Sequence, residues 1–206
     1  MIKAIIFDVD GVLMANTGVI IKIYQAAAVL SGRKRPDRQA VIRVLGMTGP
    51  DMVRRLIGKN PRYRVIQRQV WYRYESQMRL TPGWELVLKK IRLKTAIVTS
   101  RRYQSLKRTL GKGKKYFSVI ITPKNSPKHK PDPKPLLLAC KKLRVSPAEA
   151  LYVGDALVDV KAAARAKITF IAMLSGGLTQ ADLKKYRIKY SLKSLKNLPG
   201  LIKEIS

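Results

Sequence analysis

The chain has 206 residues, enough for one domain with a real core or for a core domain carrying a small insert. It lacks an apolar run of the roughly 18 residues needed for a membrane-spanning helix. Its single cysteine, Cys140, rules out an intrachain disulfide. Against 12 Asp+Glu stand 43 Lys+Arg, a formal net charge of +31. Most cations therefore lack a carboxylate partner, so dense ion-pair networks are limited by the supply of acids. Self-repulsion makes stability depend on salt. Two readings of the charge stand side by side: a surface that binds polyanions such as nucleic acid, or a surface made cationic by design, since supercharging changes surfaces and leaves cores alone. The basic residues are spread along the whole chain, which weakens the case for a dedicated nucleic-acid groove. The sequence enters an apolar run at Ile2, so we expect no signal peptide and a cytoplasmic location.

Ile2 to Phe7 is apolar apart from Lys3, which predicts a strand buried on both faces of a parallel sheet. Asp8-Val9-Asp10-Gly11 follows directly. Carboxylates are costly to bury unless paired or bound to a cation, and ligands of open α/β sheets bind beyond the carboxyl ends of the strands. Alone, this stretch fits either a divalent-metal and phosphate site with an Asp nucleophile or an ordinary Asp-rich turn.

From 15 to 80 the pattern is helical only. The expected helices are 17–31 ending at Gly32, 36–45 stopped by Gly46, a third from Pro50 to before Gly58, and a fourth over 61–79. On the fourth, Tyr63, Val65, Ile66, Val70, Trp71, Tyr74 and Met78 read as a packing stripe. An α/β rhythm returns at Thr81-Pro82-Gly83. A helix over 82–92 and a strand 95–99 are followed by Ser100, opening a helix 101–110. A basic link, a strand 119–122 and a Pro- and Lys-rich loop 123–131 lead to a helix 133–143 capped by Asp132, with Cys140 on its apolar face. Ser146 to Glu149 is a capping box. Strand 151–153 ends in Gly154-Asp155, before a helix 156–166. Strand 168–173, the loop Ser175-Gly176-Gly177, a helix opened by Thr179, a short strand 188–191 and a helix near 197–204 complete the chain. Lys167 stands where a glycine would close a helix in the left-handed region. Alternating strands and helices predict a parallel sheet with right-handed crossovers.

Three further strand ends carry polar residues: Thr99-Ser100, Lys130-Pro131-Asp132-Pro133 in the loop after the third strand, and Gly154-Asp155-Ala156-Leu157-Val158-Asp159. In a parallel sheet they meet Asp8 and Asp10 on one edge. Each alone has a plain alternative: a helix cap for Thr99-Ser100, one lysine of many for Lys130, a cap and a solvated acid for Asp155 and Asp159. Their order and strand-end placement together are the specific signal.

With these four motifs the sequence resembles the haloacid dehalogenase superfamily of phosphatases, in the branch of phosphoglycolate phosphatase and β-phosphoglucomutase. The resemblance implies an α/β fold: a Rossmann-like parallel sheet core, residues 1–14 and 81–206, with a small all-helical cap, 15–80, inserted after strand one. It implies a small phosphorylated metabolite as substrate, Mg2+ as cofactor and an aspartyl-phosphate mechanism. Asp8 would be nucleophile and metal ligand. Asp10 would give its carbonyl to the metal and its carboxyl to proton transfer. Asp155 would bind the metal, and Asp159 would act on it through water. Thr99, Ser100 and Lys130 would hold the phosphoryl group, and Gly11 would let backbone approach it. Asp10 favours phosphoryl chemistry over dehalogenation, whose enzymes lack the second Asp. Relatives place a specificity loop where this chain has Gly46 to Pro50, which makes Thr48 and Arg54 candidates for substrate contact; the plain readings are a helix cap and a solvated arginine. His129, the lone histidine, reads as a loop residue rather than a base. A phosphomutase and a non-catalytic polyanion binder on the same fold are the rivals.

Overall fold

The computed structural model describes residues 1–59 and 62–205, the side chains of Tyr63, Arg64 and Gln67 excepted. Its six described strands are β1 (Ala4–Phe7), β2 (Lys94–Val98), β3 (Val119–Ile121), β4 (Ala150–Gly154), β5 (Thr169–Met173) and β6 (Tyr190–Leu192). They form one all-parallel sheet in the order β3-β2-β1-β4-β5-β6. This is the Rossmann-like order, and it places β1 at the centre.

The unbroken apolar character of β1 follows from two buried faces. Ile5 and Phe7 join one core cluster, and Ala4 and Ile6 join another on the opposite face. The second cluster is closed by α7 (Lys134–Leu143) and α8 (Leu157–Ala166), through Leu136, Ala139, Cys140, Ala162 and Ala163. On the first face Trp84, from α5 (Trp84–Lys90), stacks on Phe117, and Phe117 meets Phe7 edge to face.

Between β1 and β2 the chain passes through α1 (Thr17–Leu30), α2 (Arg38–Ile42), α3 (Gly49–Leu56) and α4 (Tyr63–Glu75). It leaves and re-enters the sheet side by side: Ala15 N donates to the Arg79 carbonyl, and Thr81 N to that of Leu13. Ile23, Tyr24, Val41, Met52 and Val70 of this helical stretch share the first core cluster with Phe7. The remaining α-helices among the described residues are α6 (Tyr103–Leu110), α9 (Gln180–Lys185) and α10 (Leu198–Ile205).

Some boundaries differ from the sequence reading. The helix expected over 36–45 is only Arg38–Ile42, because the Asp37 side chain accepts the Ala40 amide and caps it there. The helix expected from 101 begins at Tyr103, because the Thr99 hydroxyl accepts the Arg101 amide and holds 99–101 in a turn. The short strand expected at 188–191 lies at Tyr190–Leu192, since the Ile188 amide closes the end of α9 on the Leu183 carbonyl. On α4, Val70 is buried, as is Met78 beyond it, but Val65 is 58% exposed. The expected start of that helix at Pro61 and the side chain of Tyr63 fall outside the described residues.

Candidate active site

Strand register builds the site. Phe7 pairs with Ile97 on β2 and with Val153 on β4. Asp8, Thr99 and Asp155, one or two residues further on, therefore emerge along one edge. Strand order reverses about β1, between β1 and β4, where open α/β sheets form their ligand crevice. Asp8 and Asp155 flank that crevice.

Lys130 enters from the loop between β3 and α7 and is 4% exposed. Its Nζ lies 3.0 Å from Asp8 Oδ2 and 2.7 Å from Asp159 Oδ1, and donates to the Tyr152 hydroxyl at 3.0 Å. That hydroxyl in turn donates to Asp159 Oδ1 at 2.6 Å. Asp159 Oδ2 accepts the amides of Asp155 and Ala156, at 3.2 and 3.1 Å. Four donors thus lock the Asp159 carboxylate at the start of α8.

Asp8, Asp155 and Asp159 each offer an oxygen within 4.8 Å of the others. The Asp155 carboxylate lies in a glycine cradle: a Cβ at Gly11 or at Gly176 would fall 1.9 Å from its Oδ2. Gly11 has φ +78°, and its carbonyl accepts the Ser175 hydroxyl at 3.1 Å. The close approach that Gly11 permits is to Asp155, where the resemblance had implied the phosphate.

Burial in this crevice pushes Asp8 up to about 7, against the pull of Lys130, with the charges of Asp159 and Asp10 adding to the rise. Burial, then the charges of Asp159 and Asp8, hold Asp155 well above the ordinary carboxylate range. Burial would lower Lys130, but Asp159 and Asp8 outweigh it and keep it an ammonium. Burial and Asp159 keep Tyr152 a neutral phenol. Asp10 goes the other way: burial would raise it, but the Arg101 charge and hydrogen bonds outweigh this and hold it down. The Lys130 ammonium pairs with Asp8 and Asp159, and the Asp155 carboxylate lies within 4.8 Å of both acids. With all three acids ionised, their negative charges exceed the one positive charge of Lys130 by two, which matches a divalent cation.

A cleft of 1260 Å³ opens over this edge, lined by Asp8, Asp10, Thr48, Trp71, Thr99 and Asp155 among others. Thr48 is 7% exposed, and its hydroxyl donates to Asp51 Oδ2 at 2.6 Å and caps α3. Arg54 does not line the cleft; it is largely exposed and lies 3.8 Å from Asp51, one turn back on α3. Ser100 does not open a helix, and its hydroxyl donates to the Gly46 carbonyl at 2.6 Å, tying the strand end to the helical stretch. His129 lines the cleft beside Lys130.

Sequence reasoning missed Arg101, Asn16 and Tyr152. Arg101 is 5% exposed and grips Asp10. Asn16 donates to the same carboxylate at 2.5 Å. A signal existed for Tyr152, since a hydroxyl inside an apolar strand has to find a partner. A signal for Arg101 was its position two residues beyond Thr99, among many other cations.

Residues 5–173 match the model of the haloacid dehalogenase-like hydrolase family. The chain belongs to that family. A protein named for the pyrophosphatase PpaX, from Caldanaerobacter subterraneus subsp. tengcongensis, is 30% identical over 210 residues, covering 98% of this chain and 95% of that one. A phosphoglycolate phosphatase from Thiobacillus denitrificans is 29% identical over 178 residues, covering 79% of this chain and 78% of that one. A solved hydrolase from Pseudomonas syringae superposes with a TM-score of 0.84 at 26% identity, covering 99% of each chain. β-Phosphoglucomutase from Clostridium difficile shares the fold, with a TM-score of 0.83 at 19% identity over 99% of this chain and 96% of that one. This haloacid dehalogenase-like hydrolase thus stands among relatives named as phosphatases. Among its described residues no helix is long and apolar enough to cross a membrane.

Proposed function

We propose that this hydrolase cleaves a small phosphomonoester through an aspartyl phosphate on Asp8, with Mg2+ as its resident cation. One observation carries the reading: three buried carboxylates converge beside one ammonium that pairs with two of them, and the third, Asp155, is cradled by two glycines. Oxygen donors alone suit a hard divalent cation. Asp8, Asp155 and the Asp10 carbonyl would hold it, with Asp159 behind them keeping Lys130 in place. When bound, the ion lets an anionic nucleophile meet an anionic phosphoryl group.

The protein groups divide the remaining work. The Asp8 carboxylate attacks phosphorus, and the bond from phosphorus to the leaving oxygen breaks. Asp10 protonates that oxygen, then takes a proton from the water that hydrolyses the acyl phosphate. The Thr99 hydroxyl binds a phosphoryl oxygen, the Ser100 amide adds a second donor, and Lys130, held beside Asp8, offsets the charge on the phosphoryl group. The helical stretch 15–80 acts as a cap, and cleft residues such as Thr48 and Trp71 select the substrate.

The test is p-nitrophenyl phosphate turnover. Activity should require Mg2+, vanish with chelator, and fall on the order of 10³-fold in Asp8→Asn. Equal rates for the parent and Asp8→Asn would sink the reading. Release of inorganic phosphate from a sugar phosphate, rather than an isomeric sugar phosphate, separates hydrolysis from mutase chemistry.

A further inference from the structure

We infer that Arg101 is the positioning residue of the hydrolytic half-reaction: it holds Asp10 oriented to accept a proton from the attacking water. The inference rests on the reading of Asp10 as the proton-transfer carboxylate. Arg101 Nη2 donates to Asp10 Oδ1, and its Nε to Oδ2 at 3.3 Å. A guanidinium fork fixes the plane of a carboxylate as well as its position. Asn16 Nδ2 adds a second donor to Oδ1, and its own Oδ1 accepts the Gly11 amide at 3.3 Å. Oδ1 therefore takes two donors and Oδ2 takes one, so Oδ2 keeps acceptor capacity in a residue that lines the cleft.

The rest of the guanidinium is anchored on both sides of the cleft. Nη1 donates to Ser105 Oγ at 3.2 Å and to Thr109 Oγ1 at 3.4 Å, both on α6. Nη2 also meets Met78 Sδ at 3.4 Å, and the guanidinium carbon lies 5.2 Å from the ring centre of Trp71 on α4. A guanidinium has five N–H donors, and these contacts occupy them. Arg101 thus has no donor to spare for a phosphoryl oxygen, and its influence on the reaction runs through Asp10. Its position depends in turn on α4, which makes the orientation of Asp10 depend on the helical stretch.

The step is specific. Water oxygen bonds to phosphorus, the bond from phosphorus to Asp8 oxygen breaks and restores the Asp8 carboxylate, and one proton of the water passes to Asp10 Oδ2. The first step on p-nitrophenyl phosphate makes no such demand, because nitrophenolate leaves without a proton. Loosening Asp10 should therefore slow breakdown of the acyl phosphate and spare its formation.

Stopped-flow measurement of p-nitrophenolate release by Arg101→Met and Arg101→Lys, with Mg2+ present, tests this. We expect a burst in both, at a rate within about threefold of the parent's first step, then turnover about 10- to 100-fold slower than the parent. Burst amplitude counts competent sites, so partial misfolding does not mimic the result. Lysine keeps the charge without the fork, so its burst shows that geometry is what matters. A parallel fall in both phases, absence of a burst, or unchanged turnover overturns the inference. So does failure of both variants to fold by circular dichroism, which would make Arg101 a core residue only. Asp10→Asn separates the two levels. If it turns over like the parent, the reading of Asp10 falls. If it shows a burst that the Arg101 variants lack, only the role of Arg101 falls.

Discussion

Asp8 and Asp155 are acids whose folded pKa lies above the ordinary value. Such a group keeps a proton in the folded protein that the unfolded chain has already released. For Asp8 this window runs from 3.8 to about 7. Within it the unfolded state binds fewer protons, so the metal-free protein should lose stability as pH rises. Asp155 acts in the same direction. A divalent cation needs both groups ionised, so its binding should release protons and tighten with pH. The melting temperature should therefore rise more on adding Mg2+ at about pH 8 than at about pH 5.5. Equal shifts at the two pH values would show that these carboxylates do not hold the ion. Ser100 and Arg54 carry a lesson at the same scale. Both are site candidates in the sequence, yet one hydroxyl is committed to Gly46 and the other side chain is turned to solvent.

At the scale of elements, three helices end the same way. Arg144, Lys167 and Arg187 follow α7 and α8 and close α9 with φ of 55°, 56° and 51°. After each, the next amide reaches back five residues: Val145 to Cys140, Ile168 to Ala163, and Ile188 to Leu183. This is the helix-ending motif in which glycine is usual, because a Cβ is strained in the left-handed region. Lys167 was legible in the sequence, since it stands between a clear helix and a clear strand; Arg144 carried the same signal. Replacing any of the three by glycine should stabilise the protein by about 1 kcal/mol, less whatever the unfolded chain gains in freedom. Urea denaturation of the single variants measures it, and destabilisation in all three would contradict the strain argument. The same scale explains how the cleft forms. Ser100 bonds to Gly46, and Gly46 packs so closely on α8 that a Cβ there would lie 2.6 Å from Val158 Cγ2. The helical stretch is therefore seated on the strand ends it covers.

For the whole molecule the dominant fact is charge. The buried acids Asp8, Asp155 and Asp159 are spent on the crevice, and Asp10 on Arg101, which leaves still fewer of the 12 acids to offset 43 cations at the surface. Self-repulsion of this size is long-ranged and screened by salt. Thermal stability should rise steadily as NaCl is raised from about 0.05 to 0.5 M. A melting temperature that does not move, or that falls, would mean that compensating contacts have absorbed the repulsion. The core gains nothing from the excess: its two main clusters, on opposite faces of the sheet, are built of aliphatic and aromatic side chains like those of any α/β protein.

By itself the sequence determined the sheet, its parallel sense, the placement of Asp8, Thr99 and Asp155 at strand ends and that of Lys130 in the loop after the third strand. These signals are local: an apolar run long enough for a buried strand, then a polar residue, then a helix start. Only the tertiary structure decided which of many cations matter, that Arg101 rather than Arg54 reaches the site, and that Gly11 and Gly176, 165 residues apart in the chain, close on the same carboxylate. The reason is physical. Charge and backbone freedom look alike along the chain wherever they occur, and they acquire a role only when pairing between distant strands sets what lies within hydrogen-bonding distance and what water can reach.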